Sequence, residues 1–432
     1  MTKAQNQPAE RQEQYQRITG MRDVLFEEQR YWRFILAKIQ ATVDLFGYQR
    51  LDTPLLEPAN LFIRGVGEGT DIVEKEMYIF EDRDGSRLAL RPEFTAGIMR
   101  AYIENGLHTL PSPLRVWTVG PLFRHERPQA GRYRQHSQFD IEVIGEQDPA
   151  VDVEVISLAW HLFTSLGFRG LRLYLNSTGC PVCKPTYIKI LVDYLSRFAD
   201  KLPPDDRMRL QKNPLRILDS KEAVTQPLLA QAPHITDHLC AECADHFARL
   251  KSYLEALDRP YEVDYRIVRG LDYYTKTVFE IKAAGLGSQD TICGGGRYDG
   301  LIEELGGKPT PGIGFGSGIE RYVIAMQHLG LEPPPEPLPK VTVSYLGDSA
   351  KPTALALAEQ LRWAGIGVLF TPGDRSLKAQ LKAANRAEAD FAVILGEDEV
   401  KAGQATVRHM HNGQQTGVAL AELAGWLKER LK

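Results

Sequence analysis

The segment between residues 115 and 144 constrains the fold of this chain more than any other, because it concentrates charge that an ordinary protein core does not carry. Its pattern predicts a strand over residues 115–124, a loop over 128–131 and a returning strand over 134–144. Alternation along the returning strand puts its polar residues on one face: Arg134, His136, Gln138, Asp140 and Glu142. The opposite face carries Phe139, Ile141 and Val143 and is expected to pack.

A sheet face with both signs of charge suits a ligand that is itself both cationic and anionic. Arg124 and Glu126 share a face on the first strand in the same way. The alternative is a solvent-exposed hairpin whose charges form a ladder of salt bridges. A binding site is the favoured interpretation because other motifs in the chain agree with it.

The length of 432 residues predicts two or three domains, and a hydrophobic content of 43% is enough for packed cores. Residues 1–14 are polar with mixed charge, which predicts a disordered start rather than a signal peptide. No segment approaches the ~20 apolar residues needed to cross a bilayer. A cytoplasmic protein with no membrane partner is therefore expected.

A formal net charge of −4 argues against a general nucleic-acid coat protein, which would carry a strongly basic surface. It does not exclude RNA, because an RNA-binding enzyme needs only local basic patches. Arg124, Arg127, Arg132 and Arg134 supply one such patch.

Changes of pattern along the chain predict an α+β body that is interrupted by an insertion and followed by a small α/β domain. The predicted parts are a disordered start (1–14), a mixed strand-and-helix region (15–170), a mainly helical insertion (171–259), the return of the first region (260–330), a proline-rich linker (331–340) and the α/β domain (341–432). Individual predictions include a helix over 24–46 and strands over 277–282, 341–346, 367–370 and 391–395.

Four of the five cysteines form two Cys-x-x-Cys pairs, which is the ligand spacing of a structural zinc site. These are Cys180, Cys183, Cys240 and Cys243. The odd cysteine count and the lack of an export signal argue against a disulfide framework. Reduced thiols in a helical domain are the alternative, since the two pairs lie far apart in the sequence.

The charged hairpin resembles motif 2 of class II aminoacyl-tRNA synthetases, and Arg-His-Glu-Arg-Pro-Gln (124–129) with Gly-Arg-Tyr-Arg-Gln (131–135) resembles the histidyl-tRNA synthetase family in particular. Two further segments are similar to signatures of that family: Arg-Gly-Leu-Asp-Tyr-Tyr-Thr (269–275) and Gly-Gly-Gly-Arg-Tyr-Asp-Gly (294–300). Residues 47–58 around Pro54 resemble motif 1, and residues 312–321 resemble motif 3. The resemblance runs from about residue 15 to the end of the chain.

The resemblance implies an antiparallel-sheet catalytic domain in two parts (15–170 and 260–330), a helical insertion, and a C-terminal anticodon-binding domain. It implies activation of histidine by ATP with Mg²⁺, transfer to the histidine tRNA, and a homodimer. The arginines suit this chemistry, because attack on the α-phosphate builds negative charge that fixed cations stabilise.

The resemblance also implies roles for single residues. Those implied for ATP are Arg124, Glu126, Arg132, His136 and Arg321, and those implied for histidine are Glu93, Thr95, Gln138, Glu142, Arg269, Tyr273, Tyr274 and Tyr298. Arg269, Arg124 and Arg321 would be the catalytic cations, and Arg127, Gln129 and Arg134 would contact the acceptor end of the tRNA. For Glu93, stabilisation of a helix start is the alternative. The tyrosines could simply be packing residues.

This chain departs from the family pattern at two places. His136 stands where many members have a phenylalanine that stacks on adenine, and Asp140-Ile141 replaces smaller residues before Glu142. An imidazole can still stack, so activity is expected.

Two other functions are compatible with parts of the pattern. The first is the non-catalytic, histidine-binding regulatory subunit of ATP phosphoribosyltransferase, but residues 269–275 and the C-terminal domain argue for a ligase. The second is a class II synthetase for another amino acid, such as threonine or proline. A buried carboxylate at Glu142 argues against it, because a neutral substrate side chain would leave that charge unpaired.

Overall fold

The structure is a computed structural model that describes residues 15–67, 69–127, 131–286, 290–373 and 375–431. The chain divides into two compact units, residues 1–334 and 335–432. The predicted disordered start, 1–14, lies outside the described residues. Within the described ranges, no helix has both the length and the apolar character needed to span a membrane.

An eight-stranded sheet is the centre of the first unit, with strand order β1-β5-β6-β11-β10-β9-β7-β8. Its strands are β1 (Gln49–Arg50), β5 (Leu114–Phe123), β6 (Gln135–Ile144), β7 (Arg172–Ser177), β8 (Tyr261–Val263), β9 (Thr275–Lys282), β10 (Thr291–Arg297) and β11 (Gly312–Gly318). A smaller sheet has the order β2-β4-β3, formed by β2 (Leu56–Pro58), β3 (Tyr78–Glu81) and β4 (Arg87–Leu90). The large sheet is antiparallel from β5 to β7 and parallel only where β1 and β8 join its edges.

The first unit also contains α-helices. They are α1 (Phe26–Phe46), α2 (Ala59–Val66), α3 (Thr95–Glu104), α4 (Pro149–Ser165), α5 (Lys184–Ser196), α6 (Pro204–Lys212), α7 (Gln226–Leu229), α8 (Ala241–Ala256), α9 (Leu301–Glu304) and α10 (Ile319–His328). Tyr31, Ile35, Ile39 and Val43 form the buried stripe of α1, which ends at Gly47 in the left-handed conformation. Phe139, Ile141 and Val143 join this stripe in one core, so the predicted apolar face of the hairpin is confirmed.

The second unit has a five-stranded sheet in the order β13-β12-β14-β15-β16 and its own apolar core. The strands are β12 (Val341–Tyr345), β13 (Val368–Phe370), β14 (Phe391–Leu395), β15 (Gln404–His409) and β16 (Gln415–Ala419), and the helices are α11 (Lys351–Trp363), α12 (Leu377–Arg386), α13 (Glu397–Ala402) and α14 (Leu423–Arg430). The three predicted strands of this region are confirmed to within a residue or two at their ends. The α+β class, with an antiparallel sheet domain and a small α/β domain, is confirmed.

The predicted start of the insertion at residue 171 differs from the structure. Strand β7 pairs with β9 inside the large sheet, because Leu173 and Leu175 alternate as a half-buried strand. Helix α8 also packs on α4 and buries Phe247 and Leu250 in the main core. The part of 171–259 with a separate apolar core is therefore shorter and lies around Tyr187 and Leu191.

Candidate active site

A cavity of about 160 Å³ opens on the polar face of the large sheet. All eight residues that the sequence predicted around histidine line it: Glu93, Thr95, Gln138, Glu142, Arg269, Tyr273, Tyr274 and Tyr298. Arg124 lines it as well. The residues come from β6, the start of α3, the loop before β9 and the positions just after β5 and β10, so the fold brings together segments that are far apart in the sequence.

Glycines in β10 and β11 make room for these side chains. Strand β11 has glycine at every second position, and Gly314 and Gly316 lie opposite Glu142 and Asp140 of β6. A Cβ atom on Gly314 would overlap the Glu142 carboxylate, and one on Gly294 would overlap the Arg269 guanidinium. The floor of the cavity is therefore bare backbone, over which the polar side chains of neighbouring segments lie.

Glu142 is the most elaborately bonded acid in the cavity. Its Oε1 accepts from Thr95 Oγ1 at 2.7 Å, and its Oε2 accepts from the hydroxyl of Tyr298. Burial raises the pKa of Glu142 well above its usual range, although both hydrogen bonds act in the opposite direction. The carboxyl group is thus held in place beside the cavity, and a cationic ligand would stabilise its ionised form, which burial disfavours.

Arg297 fixes the end of β10 next to Tyr298. It is fully buried, and its Nε donates to Asp152 Oδ1 at 2.7 Å while its Nη1 donates to the carbonyl oxygen of Glu146 at 2.9 Å. His246 lies on the other oxygen of Asp152 at 2.9 Å. This buried ion pair joins β10 to α4 and so defines where the Tyr298 hydroxyl meets Glu142.

Two further acids in the cavity have an oxygen to which no described residue donates. Glu93 Oε1 accepts from the backbone N–H of Ala96 at 2.9 Å, but its Oε2 is buried without a partner. Asp140 Oδ2 accepts from Gln138 Nε2 at 3.0 Å, and its Oδ1 is likewise buried and unpaired. Burial raises the pKa of Glu93 and raises that of Asp140 to about 8. Unpaired buried carboxyl oxygens are the expected partners of a ligand ammonium group.

Arg269 supplies positive charge to the cavity, and its guanidinium lies over Gly294 of β10. Its Nη1 donates to Glu280 Oε1 at 2.9 Å, and its guanidinium lies 6.0 Å from the centre of the Tyr274 ring. Burial acts to lower its pKa, but Tyr274 and Glu280 outweigh burial and the pKa is raised. The guanidinium therefore stays charged where it faces the cavity.

The residues predicted for ATP form a second group next to this cavity. Arg124 Nε donates to the carbonyl oxygen of Pro92 at 2.8 Å, Arg132 pairs with Glu126 at 3.3 Å, and Arg321 Nη1 donates to the carbonyl oxygen of Thr291 at 2.7 Å. Burial, and then the positive charge of Arg132, lower the pKa of Arg321. Positive charge that lowers the pKa of a neighbouring arginine favours an anionic ligand such as a polyphosphate.

His136 lies opposite Leu122 in the hairpin. Burial, followed by the positive charge of Arg124, lowers its pKa to about 3. The imidazole is therefore neutral at pH 7, which suits stacking on a base better than contact with phosphate.

The residues predicted for the tRNA acceptor end are placed only in part. Arg127 is exposed, and Gln129 lies outside the described residues. Arg134 is tied into the hairpin base, where its Nε donates to the Glu126 carbonyl oxygen at 3.4 Å and its backbone N–H donates to that of Gly20 at 2.8 Å.

The four paired cysteines come together in space. Their Sγ atoms all lie within 4.8 Å of one another, and all four are free thiols. Cys180 Sγ is 3.8 Å from Cys183 Sγ and 3.7 Å from Cys240 Sγ. In the part of the chain that the structure describes, this is the only group of three or more histidine, cysteine or acidic side chains close enough to share a metal ion.

Sequence reasoning did not name every residue of the cavity. Asp140 was noted as a departure from the family pattern but not as a site residue, although alternation places it between Gln138 and Glu142. Glu280, which pairs with Arg269, was missed because the partner strand could not be inferred from the sequence. The every-second-residue glycines of β11 were a signal that could have been used.

Comparisons with known proteins point to one family. A family model described as histidyl-tRNA synthetase matches residues 20–180 and 193–321, and one described as anticodon binding domain matches residues 340–430. A histidine–tRNA ligase of Dehalococcoides mccartyi is 49% identical over 417 residues, which is 96% of this chain and 100% of the relative. One from Caldanaerobacter subterraneus is 44% identical over 409 residues, covering 95% and 98%.

Solved structures agree with the sequence matches. The apo histidyl-tRNA synthetase of S. aureus has a TM-score of 0.81 and 32% identity, with 96% of this chain and 100% of that chain covered. A Bacillus halodurans protein described as an ATP phosphoribosyltransferase regulatory subunit/histidyl-tRNA synthetase has a TM-score of 0.64 and 21% identity, with 88% and 98% covered. At that identity the second likeness concerns the fold alone.

Proposed function

Because the chain belongs to the histidyl-tRNA synthetase family, we propose that it activates histidine with ATP to histidyl-adenylate and transfers the histidyl group to the 3′ end of the histidine tRNA. The observation that carries this proposal is that buried carboxyl groups, Arg269 and the glycine backbone of β10 and β11 line one cavity. Such a cavity matches an amino acid that has two nitrogen-bearing groups and one carboxylate.

Histidine would lie with its ammonium group towards the carboxyl oxygens that lack partners. The buried Oε2 of Glu93, which has no partner among the described residues, would accept from that group, and Gln138 and Thr95 would lie beside it. Glu142 and Tyr274 would face the imidazole nitrogens, and Tyr273 and Tyr298 would close the pocket. A pocket built to hydrogen-bond its substrate rejects an analogue that lacks those groups by ~10⁴ or more, so no editing step is needed.

Activation joins the histidine carboxylate to the α-phosphorus of ATP and breaks the bond to the bridging oxygen, so pyrophosphate leaves. Arg124 and Arg269, on the cavity wall, would stabilise the charge that develops on the α-phosphate oxygens. Arg321 would cover adenine and the outer phosphate, and Arg132 would face the outer phosphates.

Adenine would bind at the hairpin and replace part of an existing ion pair there. Glu126 would accept from the adenine amino group, which requires its ion pair with Arg132 to open or to be shared. His136, neutral at pH 7, would stack on the ring. When the 3.3 Å contact between Glu126 and Arg132 opens, Glu126 would therefore contact the adenine amino group and Arg132 the outer phosphates.

Transfer follows when the terminal ribose hydroxyl of the tRNA attacks the histidyl carbonyl carbon and AMP leaves. Arg127, Gln129 and Arg134 in the hairpin loop are our candidates for contacts to the acceptor end. Residues 340–430, which match the anticodon-binding family, would hold the other end of the tRNA. These assignments imply a cytoplasmic enzyme, and the resemblance of residues 47–58 to motif 1 favours a homodimer.

Magnesium would enter with the ATP. The only described cluster of three or more metal-ligating side chains is made of thiolates, which suit zinc rather than Mg²⁺. Mg²⁺ is commonly held by phosphates and water with one or two carboxylates. Within the described ranges, the protein's residues therefore form no dedicated magnesium cage.

The four cysteines would hold a structural zinc ion. A tetrahedral site with Zn–S distances of about 2.3 Å has its sulfur atoms about 3.8 Å apart. The sulfur pairs Cys180–Cys183 at 3.8 Å and Cys180–Cys240 at 3.7 Å agree with that geometry. A complete set of thiolates leaves no open position for catalysis, so the role is structural.

The regulatory-subunit alternative has less support. The relatives at 44% and 49% identity are histidine–tRNA ligases that match almost the full chain, whereas the likeness to the B. halodurans protein is one of fold. The residue set around Arg269 and the anticodon-binding match are also what a ligase requires.

Histidine-dependent exchange of labelled pyrophosphate into ATP tests this proposal. The intact protein should show exchange with histidine and none when amino acid is omitted. Arg269→Ala should reduce the rate about a hundredfold or more, because it removes a preorganised cation from the reacting phosphate. Arg197→Ala, an exposed arginine that does not line the cavity, is the control and should be unaffected. Folded protein that binds histidine but shows no exchange would move the regulatory alternative to first place.

A further inference from the structure

The cysteine cluster lies directly against the loop that carries the histidine-contacting tyrosines. Cys183 and Cys240 are the residues that precede α5 and α8, so two helix N-termini point at the sulfur atoms. Backbone N–H groups of Cys180 and Val182 also donate to cluster sulfurs, at 3.3 and 3.4 Å. Helix N-termini and backbone donors both stabilise thiolates, which are the form that binds metal.

Hydrogen bonds between backbone groups link this cluster to residues 272–276. The N–H of Lys276 donates to the carbonyl oxygen of Gly179 at 2.7 Å, and the N–H of Thr178 donates to that of Lys276 at 2.8 Å. Gly179 has a φ of 67°, and a Cβ there would lie 2.8 Å from Cys183 Sγ. The chain therefore turns tightly between strand β7 and the first cysteine, with Lys276 held in the turn.

Side chains add a second set of links on both sides of the cluster. Lys184, the residue after Cys183, donates through Nζ to the carbonyl oxygen of Tyr274 at 3.1 Å, and Thr178 Oγ1 donates to the same oxygen at 3.2 Å. Lys276 Nζ donates at 2.8 Å to Glu242, which lies between the cysteines of the second pair. Both halves of the cluster thus touch one short loop.

We propose that a zinc ion on Cys180, Cys183, Cys240 and Cys243 fixes the backbone of residues 272–276 and thereby positions Tyr273 and Tyr274 in the histidine cavity. This inference rests on the zinc site and the cavity roles proposed above. Without the ion, the start of α5 is joined to the start of α8 only through the intervening chain, residues 185–240, which includes α6 and α7. With it, the two helix starts become one rigid support for the loop.

Loss of the zinc ion should affect the two substrates differently. Tyr274 lines the histidine cavity, whereas the residues proposed for adenine and the outer phosphates lie on the hairpin and on α10. The four cysteines are therefore positioning residues for histidine and not for ATP. Loss of the ion should weaken histidine binding more than ATP binding.

Metal content is the first measurement, made on full-length protein expressed with added zinc. Mass spectrometry of the metals should find about one zinc per chain and no iron. A thiol-specific mercurial should release the zinc, and the thermal midpoint should fall. Zinc-free protein that is fully active, or a cluster that contains iron, would overturn the proposal at this stage.

The kinetic measurement compares Cys240→Ser/Cys243→Ser with the unmodified protein in pyrophosphate exchange. The variant should lose zinc and show a KM for histidine raised about tenfold or more, with the KM for ATP changed less than about twofold. Equal changes in both constants, or no change in metal-free folded protein, would refute the positioning role and leave the zinc site standing. Absence of exchange in the unmodified protein would instead refute the ligase function.

Lys184→Met tests the link without touching a metal ligand, and so covers the case in which the cysteine variant fails to fold. It should keep its zinc and raise the KM for histidine about fivefold, the value of one lost hydrogen bond. Lys189→Met on the same helix, an exposed position, is the matched control and should change neither quantity. A Lys184→Met protein with an unchanged histidine KM would contradict the proposed coupling.

Discussion

Asp140 is an acid that lines the cavity in addition to the two acids predicted there. With Glu93 and Glu142 it makes three buried acids in one small space, and its Oδ1 has no donor among the described residues. Burial raises the pKa of Asp140 to about 8, so the folded protein keeps a proton that an exposed aspartate would have lost. The residue is thus a source of local instability that a bound ammonium group would relieve.

Asp140→Asn should stabilise the ligand-free protein, and more at pH 8 than at pH 5. An unfolded aspartate has a pKa of about 3.9, whereas that of folded Asp140 is about 8. Between these values the unfolded chain releases a proton that the folded protein retains, so the free energy of unfolding falls as pH rises. Asparagine does not titrate, so the variant does not lose this part of the free energy of unfolding as pH rises.

Thermal midpoints at the two pH values measure the effect, and a rise of about 2 °C or more is expected at pH 8. Asp193→Asn, at an exposed position on α5, is the control and should leave the midpoint unchanged at both. A midpoint that falls in Asp140→Asn at pH 8 would mean that the ionised carboxylate is paired in solution.

Local patterns in the sequence indicated which side chains share a face, but not which side chains they would contact. Alternation alone placed Gln138 and Glu142 on one face, because side-chain direction in a strand depends only on local geometry. That Tyr298 would reach Glu142, 156 residues away, depends on the pairing of β6, β11 and β10, which no local pattern encodes.

Among the elements, β11 determines the shape of the cavity. Its glycines let the side chains of Glu142, Gln138 and Tyr298 lie directly on the β11 backbone, where any Cβ atom would overlap them. The glycines leave that face of the strand without packed side chains. On the other face, Ile313 and Phe315 pack in the main apolar core.

Gly314→Ala should abolish most histidine activation and should also lower the thermal midpoint, because the added methyl meets backbone as well as a side chain. The added methyl would overlap the Glu142 carboxylate and the carbonyl oxygen of Ile141, so the acid must move away from the substrate. A displacement of about 1 Å at a reacting site costs about a hundredfold, so kcat/KM for histidine should fall by at least that factor. Steady-state pyrophosphate exchange measures it.

Gly300→Ala is the matched control, because a Cβ there meets nothing within 4 Å and the backbone φ of −93° suits alanine. Its kcat/KM should stay within about twofold of the unmodified protein. Wild-type activity in Gly314→Ala would show that the carboxylate has room to move, and the glycine floor would then have no functional role.

Element boundaries show where sequence reasoning stopped. The hairpin strands were predicted to within a residue of their ends, because alternation and turn residues are strong there. Strand β7 was assigned to the insertion because a six-residue strand before a cysteine pair gives no signal of its partner. The sheet order, with β7 between β9 and β8, is a property of long-range pairing.

At the scale of the whole molecule, the chain has two units with separate apolar cores and a proline-rich segment near the boundary between them. The cavity belongs entirely to the first unit, and the anticodon-binding match belongs to the second. The two steps of the reaction therefore make different demands on the chain, since activation needs no tRNA.

Removal of residues 335–432 should separate the two steps. A protein of residues 1–334 should keep histidine-dependent pyrophosphate exchange within about threefold, because every cavity residue and its core remain. Its kcat/KM for aminoacylation of the histidine tRNA should fall by about a hundredfold or more, because the second set of tRNA contacts is lost.

The intact chain serves as the reference for both assays, and circular dichroism checks that the truncated protein is folded. Equal loss of exchange and aminoacylation in folded protein would show that the second unit supports the cavity itself. Unchanged aminoacylation would show that it contributes nothing to tRNA recognition.

The glycine floor also has a genetic consequence. A glycine codon accepts any third base, but every change at its first or second base inserts a side chain or stops the chain. In the apolar cores, single-base changes interconvert isoleucine, valine and leucine at nearly constant volume. At Gly312, Gly314 and Gly316 no missense change preserves volume, so a saturation mutagenesis map of this gene should show its deepest and narrowest intolerance at every second codon of one short strand.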